Sequence, residues 1–319
     1  MKSLKKLWSY LTRPGEDRPY VLGIFVARPS DTMTHYIERL VASLRMLYVR
    51  PLEVVIFENV HQRSRQAELL EHIAATCPDL FLTMDSDSSN VLIRFTQEEG
   101  IMVPGFLLGY EDLVSREYPD SLMGIFPPVD WERNYILLRQ AYPKLKSFLL
   151  CGGHAMLDRH GAFVAMRERA ARDDVAVHHI YVDGADSLKR QFDHYSGRVE
   201  MALFAFDPIL FPFTRELVSL AREHNLFSVS SNLYAIYEGV DIAIGYPEAK
   251  VLDFIAHKII SFLQQQQLSH TSIFRFDFEL HCNVKNLQHS TYILQNIGRL
   301  FLEDELVSVH IHADENARR

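Results

Sequence analysis

The chain has 319 residues, of which 48% are hydrophobic and 23% charged, so it can bury a large core without disulfide or metal staples. Its formal net charge of −8 argues against a nucleic-acid partner, which needs a basic stripe. Cys77, Cys151 and Cys282 are odd in number and widely spaced, which points to free thiols rather than a disulfide framework.

The first 20 residues, MKSLKKLWSYLTRPGEDRPY, begin with a basic patch. Leu4, Leu7, Trp8 and Leu11 are broken up by Lys5, Lys6 and Ser9, so no secretory h-region is read there. Residues 1–18 are expected to form a solvated or partly docked arm. No apolar run reaches the roughly 18 residues of a spanning helix.

From residue 20 to about residue 300, short apolar runs alternate with helical patterns. Strands are predicted at 20–26, 52–57, 80–84, 103–108, 122–126, 147–151, 176–181, 202–206, 226–229, 242–244 and 272–281. Helices are predicted at 33–49, 64–76, 91–100, 130–142, 158–171, 186–195, 212–224 and 247–266. In the first of these, Met33, Ile37, Leu40, Val41, Leu44 and Leu47 follow the 3.6-residue period. Such βα alternation predicts parallel sheets covered on both faces. The pattern breaks at 114–121, where Ser115, Pro119 and Asp120 mark a crossing between two lobes. Residues 303–319 read as a charged, frayed tail.

The richest stretch is PDLFLTMDSDSSNVLIRFTQEEGIMVPGFLLGYEDL, residues 78–112. Leu80–Leu82 fits a buried parallel strand, Asp85–Asn90 a polar helix cap, and Gly100 a helix stop. In open α/β sheets ligands sit beyond the carboxyl ends of the strands, where these polar loops fall. Asp85 and Asp87 flank Ser86, a pairing that disfavours an anion and favours an amine or hydroxyls unless both carboxylates only cap the helix. Asp-x-Asp after a strand also occurs in metal-dependent phosphatases and glycosyltransferases. The phosphatase motif normally sits on the first strand of its domain, whereas two predicted strands precede this one. An EF-hand is excluded because no Gly stands at loop position six and Thr96 is at position twelve.

Cys151-Gly152-Gly153-His154 follows another strand. A nucleophilic Cys–His pair is one reading, but Cys151 belongs to the apolar run FLLC, and a Gly-Gly-His turn lining a ligand site is the better one. His281-Cys282 and His310-x-His312 have metal-like spacings, and His310 and His312 share one strand face. Two ligands do not make a site, so no metal site is expected. Tyr110, Phe206 and Tyr246 fall at strand ends, where they can stack on a ligand or simply pack.

Several segments match one family in order. PYVLGIF opens the first strand, and CPDLFLTMDSDSSNVL resembles "PDLIVAxxTPAAQAL". SLMGIFPPVDWERNYILLRQAYPKLKSFLLCGG resembles "NVTGVS…PVEKQLELIKELLPxAKRIGVLYN". LFSVSSNLYAIYEGVDIAIGYPEAKVLDFIAHKIISFL resembles "IPVFGSDESMVKxGALASYGxDYYELGxxxAxxxxxIL", and FELHCNVKNL resembles "xELVINLKTA". Over about residues 20–300 the chain thus resembles ABC-transporter substrate-binding proteins of the tryptophan/tyrosine-binder type.

That resemblance implies an α/β fold of the type I periplasmic-binding-protein kind, with two Rossmann-like lobes, parallel sheets and a ligand cleft between the lobes. It implies lobe one at 19–121 plus 246–268, lobe two at 122–245 plus 269–305, and a tail at 306–319. Hinge closure on the ligand is the expected motion. Carried onto this sequence, Ser86 stands for the Thr of "TPAA", Asp112 for the Asp of "TDP", and Gly153 for the Asn of "YNP". Asp207 stands for the Asp of "PTDN", Ser231 and Asn232 for the Ser-Asp of "GSDE", and Gly245 for the Gly of "SYG". With these, Ser30, Asp31, Asp85, Asp87, Tyr110, His154, Phe206 and Tyr246 complete the expected ligand contacts. The chain departs from the family at Asp87, which replaces its Pro, at Gly153-His154, which replaces "NP", and at Leu233, which replaces the Glu of "SDE".

The expected function is non-catalytic binding of a small polar, amino-acid-like metabolite, as an ABC-importer-type solute receptor. An intracellular sensor or interaction protein is the alternative, and a Mg-dependent phosphatase or glycosyltransferase using Asp85 and Asp87 the second. No cofactor is expected. The partners are a small-molecule ligand and a membrane permease or an intracellular protein. A cytoplasmic location is expected, or a periplasmic or membrane-associated one if the family role holds.

Overall fold

The computed structural model describes residues 18–100, 103–108, 119–126, 131–154, 157, 161–182, 185–265, 272–273, 277–287, 293, 295–297, 299 and 307–312. The chain divides into two compact units, Met1–Pro128 with Val251–Arg275 and Val129–Lys250 with Phe276–Arg319.

The first unit runs β1 (Tyr20–Val26), α1 (Asp31–Leu47), β2 (Leu52–Glu58), α2 (Gln66–Thr76), β3 (Leu80–Thr83), α3 (Ser86–Arg94), β4 (Gly105–Leu108) and β5 (Leu122–Phe126). The second runs α4 (Trp131–Ala141), β6 (Ser147–Gly152), α5 (Gly161–Arg172), β7 (Ala176–Tyr181), α6 (Ala185–Tyr195), β8 (Met201–Phe204), α7 (Thr214–Glu223), β9 (Phe227–Ser230) and β10 (Ile242–Gly245). Helix α8 (Glu248–Gln265) returns to the first unit and leads to β11 (Ser272–Ile273). Then β12 (Phe278–Asn283), α9 (Val284–Leu287) and β13 (Val307–His312) complete the second.

The first sheet has the order β11-β5-β4-β3-β1-β2 and is parallel throughout. Every residue of β1 and β3 is buried, as central parallel strands covered on both faces require. Phe25 anchors an edge-to-face cluster with Phe57 at 5.3 Å and Phe81 at 5.1 Å between ring centroids. Helix α8 docks on this sheet: Phe262 meets Phe106 edge-on at 6.0 Å, and Asp253 Oδ1 accepts from Ser43 Oγ at 3.0 Å.

The second sheet has the order β13-β12-β10-β9-β8-β6-β7, parallel except for the β10–β12 junction. The parallel strands point their carboxyl ends to one edge of the sheet, which gathers the loops after β6, β8, β9 and β10.

Four expectations need correction. Helix α3 begins at Ser86, not Val91, because Asp85 is its N-cap and the polar cluster is its first turn. A π-turn over Phe95–Glu99 follows, and Gly100 ends it at φ +66°, a left-handed stop. Strand 122–126, expected to open lobe two, pairs with β4 in the first sheet (Gly105↔Leu122). The run 272–281 is two strands in different sheets, β11 beside β5 and β12 beside β10. Within the expected tail, Val307–His312 is a strand in parallel register with β12.

Candidate functional site

In the first unit the loops after β1 and β3 are neighbours. Ser30 is the N-cap of α1, its Oγ accepting from Met33 N at 3.1 Å, and Asp31 is exposed in the first turn. Asp85 is 4% exposed. Its Oδ1 accepts from Ser88 N at 2.7 Å, its Oδ2 from Ala27 N at 3.3 Å, and Ser88 Oγ accepts from Asp85 N in return. Burial pushes the Asp85 carboxyl above its ordinary range; the N–H groups of Ser88 and Ala27 oppose this, and the charge of Asp87 adds to it. Asp87 is exposed and ion-paired to Arg28, while Ser86 is half-buried at the first helical position.

The two aspartates therefore have separate tasks. Asp85 spends both oxygens on backbone N–H groups of two loops, and Asp87 faces a guanidinium. Behind them is a buried hydroxyl chain: Thr83 Oγ1 and Ser89 Oγ bond each other, Ser89 Oγ donates to Leu108 O at 2.7 Å, and Leu108 N donates to Thr83 Oγ1 at 3.1 Å. This chain binds the ends of β3 and β4 to α3. Tyr110 and Asp112 lie outside the described residues.

In the second unit four strand-end loops meet. After β6, Gly153 N donates to Asp207 Oδ2, after β8, at 2.9 Å. Asp207 Oδ1 accepts from Ile209 N at 3.1 Å, and the residue is 8% exposed. His154 is exposed and stacks on Tyr181 at 3.9 Å between centroids. Phe206 packs edge-on against Phe211. After β9, Ser231 N donates to Phe204 O, and Asn232 Oδ1 caps the short 3-10 helix Leu233–Glu238 through Tyr234 N at 3.0 Å. Gly245, at the end of β10, lies so near Ser231 that a Cβ there would sit 2.9 Å from the Ser231 carbonyl oxygen. Tyr246 stacks on Phe278 at 4.6 Å, with the Arg133 guanidinium 5.3 Å from the other ring's centroid. The structure thus brings Gly153 to Asp207 and Ser231 to Gly245.

Two features escape the sequence reading. Asn134, in the first turn of α4, is 3% exposed; its Nδ2 donates to Ser231 Oγ at 3.4 Å, and its Oδ1 has no partner among the described residues. A polar residue in the amphipathic pattern of α4 gives no sign that it meets a loop about 100 residues away. The other is the pairing of β12 with β13, which sets His281 opposite His310. His281 Nε2 lies 3.2 Å from Glu279 Oε2, His310 Nε2 3.7 Å from the same oxygen, and His312 Nε2 3.0 Å from His281 Nδ1. Burial lowers His281 to about 4, opposed by its hydrogen bond to Glu279 and reinforced by His310 and His312. The H-x-H spacing was visible in the sequence, but not the strand that faces it.

Cys151 and Cys282 are buried free thiols, both pushed up by burial, Cys282 to about 12. Cys151 thus fits core packing rather than a thiolate nucleophile. Among the described residues, no helix is long and apolar enough to cross a membrane.

No protein-family model and no curated protein matches this chain. Solved structures do. An ABC domain in complex with L-Trp from Streptococcus pneumonia aligns with a TM-score of 0.73 at 10% identity, covering 88% of this chain and 98% of its own. A conserved domain protein from Vibrio cholerae gives 0.73 at 8% identity, covering 91% and 100%. A transcription regulator from Lactococcus lactis gives 0.60 at 13% identity, covering 82% and 97%. These likenesses show the fold, that of type I periplasmic binding proteins, which matched solute-binding proteins and transcription regulators share.

Proposed function

We propose that this protein reversibly binds a small polar, amino-acid-like metabolite through its strand-end loops, without chemical conversion. The observation that carries this reading is Asn134. A buried amide oxygen without a partner costs about 1–3 kcal/mol, and native structures leave few such groups without a reason. Here the orphan acceptor sits beside Ser231, at the carboxyl ends of adjacent parallel strands, where open α/β sheets take their ligands. An amine or hydroxyl donor would satisfy it. A structural neighbour that holds L-Trp supports an amino-acid-like ligand.

As an importer-type receptor the protein would deliver this ligand to a membrane permease. The likeness to transcription regulators favours a second reading, in which the same binding event signals to an intracellular protein. The net charge of −8 speaks for a protein rather than a nucleic-acid partner in that case. The separate tasks of Asp85 and Asp87 leave little for a Mg-dependent reaction to use.

The test is release of the small molecule from purified, denatured protein and its identification by mass spectrometry. It is paired with a thermal-shift panel of amino acids and nucleosides. A compound that raises the melting temperature in a concentration-dependent way, without added metal, supports binding. An empty protein in repeated preparations and a flat panel would sink it.

A further inference from the structure

Strands β12 and β13 place Glu279, His281, His310 and His312 on one face of the second sheet. Residues 279 and 281 alternate with the core-facing Phe278, Leu280 and Cys282. In the parallel register His281 stands opposite His310 and Asn283 opposite His312, so two E/H-x-H strands lie side by side. One donor atom each from Glu279, His281 and His310 falls within 4.8 Å of the other two.

We propose that Glu279, His281 and His310 form a binding site for a borderline divalent transition-metal ion, best matched by Zn²⁺. The separations favour it. Bonds of 2.0–2.1 Å to nitrogen and oxygen put tetrahedral ligands about 3.3–3.4 Å apart. Glu279 Oε2 lies 3.2 Å from His281 Nε2 and 3.7 Å from His310 Nε2. The His310 side chain is 47% exposed, so it can turn inward without disturbing a packed core.

The donor set is two imidazoles and one carboxylate. That suits zinc or its late first-row neighbours better than Mg²⁺ or Ca²⁺, which prefer all-oxygen shells. Three protein ligands leave a fourth position for solvent.

His312 acts differently, as the partner that orients a ligand. Its Nε2 lies 3.0 Å from His281 Nδ1. When His281 donates Nδ1–H to it, the Nε2 lone pair is left facing the ion; a hydrogen bond on the far nitrogen is the usual support of a metal-bound histidine. The Tyr237 ring meets His312 edge-on at 5.5 Å and holds it from the side of the 3-10 helix Leu233–Glu238. The site stands apart from the strand-end loops in its chemistry, and its test does not require the metabolite reading to hold.

Metal-free, full-length protein is titrated with zinc chloride by calorimetry and with cobalt chloride by visible absorption. The expected result is one Zn²⁺ per chain and the intense cobalt bands of a low-coordinate site. His310→Ala and Glu279→Gln each weaken Zn²⁺ by at least about tenfold, and His312→Ala by about tenfold with a shifted cobalt spectrum. Because His310 is half exposed, its variant keeps the native circular dichroism. His257→Ala, at an exposed position of α8, leaves affinity unchanged, and Mg²⁺ does not compete. The proposal is overturned if no stoichiometric Zn²⁺ binds. It is also overturned if His310→Ala and Glu279→Gln both bind as tightly as the parent chain, or if His257→Ala abolishes binding.

Discussion

Asp207 ties two strands together: its Oδ2 accepts the backbone N–H of Gly153 at 2.9 Å while its Oδ1 accepts that of Ile209 at 3.1 Å. Removing the carboxylate leaves the buried N–H of Gly153 and the part-buried N–H of Ile209 without their acceptor. Asp207→Ala is therefore expected to cost roughly 2–6 kcal/mol of stability, at about 1–3 kcal/mol for each of the two orphaned donors. Asp207→Asn, which keeps one acceptor, should cost about half as much. Urea unfolding of the three proteins measures this, and an alanine variant as stable as the parent would show the tie to be incidental.

The βα alternation made the two-sheet fold legible, because buried parallel strands and amphipathic helices leave local patterns in the chain. Asp207 was legible as a strand-end residue, but its partner was not, since Gly153 is distant in sequence. Asp85 was legible as a cap, yet the sequence does not say that its second oxygen is committed to Ala27. Strand β13 alternates Val307, Val309 and Ile311 with Ser308, His310 and His312, but the charged residues on both sides of it read as a tail, and its pairing with β12 is a long-range choice.

Gly245 and Ser231 are set too close for any side chain at position 245. The nearest atom is a backbone oxygen, held by the pairing of β9 with β10, and it cannot rotate away. Gly245→Ala is expected to destabilise by about 1–3 kcal/mol, the usual scale of overpacking. It should also displace the Ser231 loop and weaken ligand binding. Equal melting temperatures for parent and variant would show that the loop yields freely.

Asp241 supplies a pH signature. It accepts from Ser228 N at 2.7 Å and Ser228 Oγ at 2.8 Å, yet burial pushes its carboxyl above the ordinary range. The native state then holds this proton more tightly than the unfolded chain. Its contribution to stability is fully present below the ordinary carboxylate value of about 3.9 and is lost as pH rises through the folded value. Asp241→Asn removes this dependence, so the variant should gain on the parent as pH rises across that window. Denaturant unfolding at several pH values checks it; a difference that stays constant would contradict the assignment.

The thiols should separate by burial. Cys151 and Cys282 are both buried with thiols pushed up, whereas Cys77 is half-buried at the left-handed C-cap of α2. The native protein is expected to show one thiol reacting readily with a disulfide reagent, and all three after unfolding. Peptide mapping should place the early label on Cys77. Early labelling of Cys151 would instead revive its reading as a reactive residue.

Asn134 separates a ligand contact from a structural one. If its role were to hold Ser231, deletion of the amide should destabilise the fold and free the loop. However, the 3.4 Å bond to Ser231 is long, and the orphan Oδ1 imposes a desolvation cost that no described residue repays. Asn134→Ala removes that cost together with the weak bond, so stability should change by less than about 1 kcal/mol in either direction. The same change should weaken the ligand found in the thermal-shift panel by about tenfold, the loss expected when a hydrogen bond to a polar or charged ligand group is deleted. Asn134→Asp, which keeps an acceptor and adds charge, should retain an amine-bearing ligand better than alanine does. A variant that loses stability but binds normally would return Asn134 to the scaffold, and with it the observation on which the binding site rests.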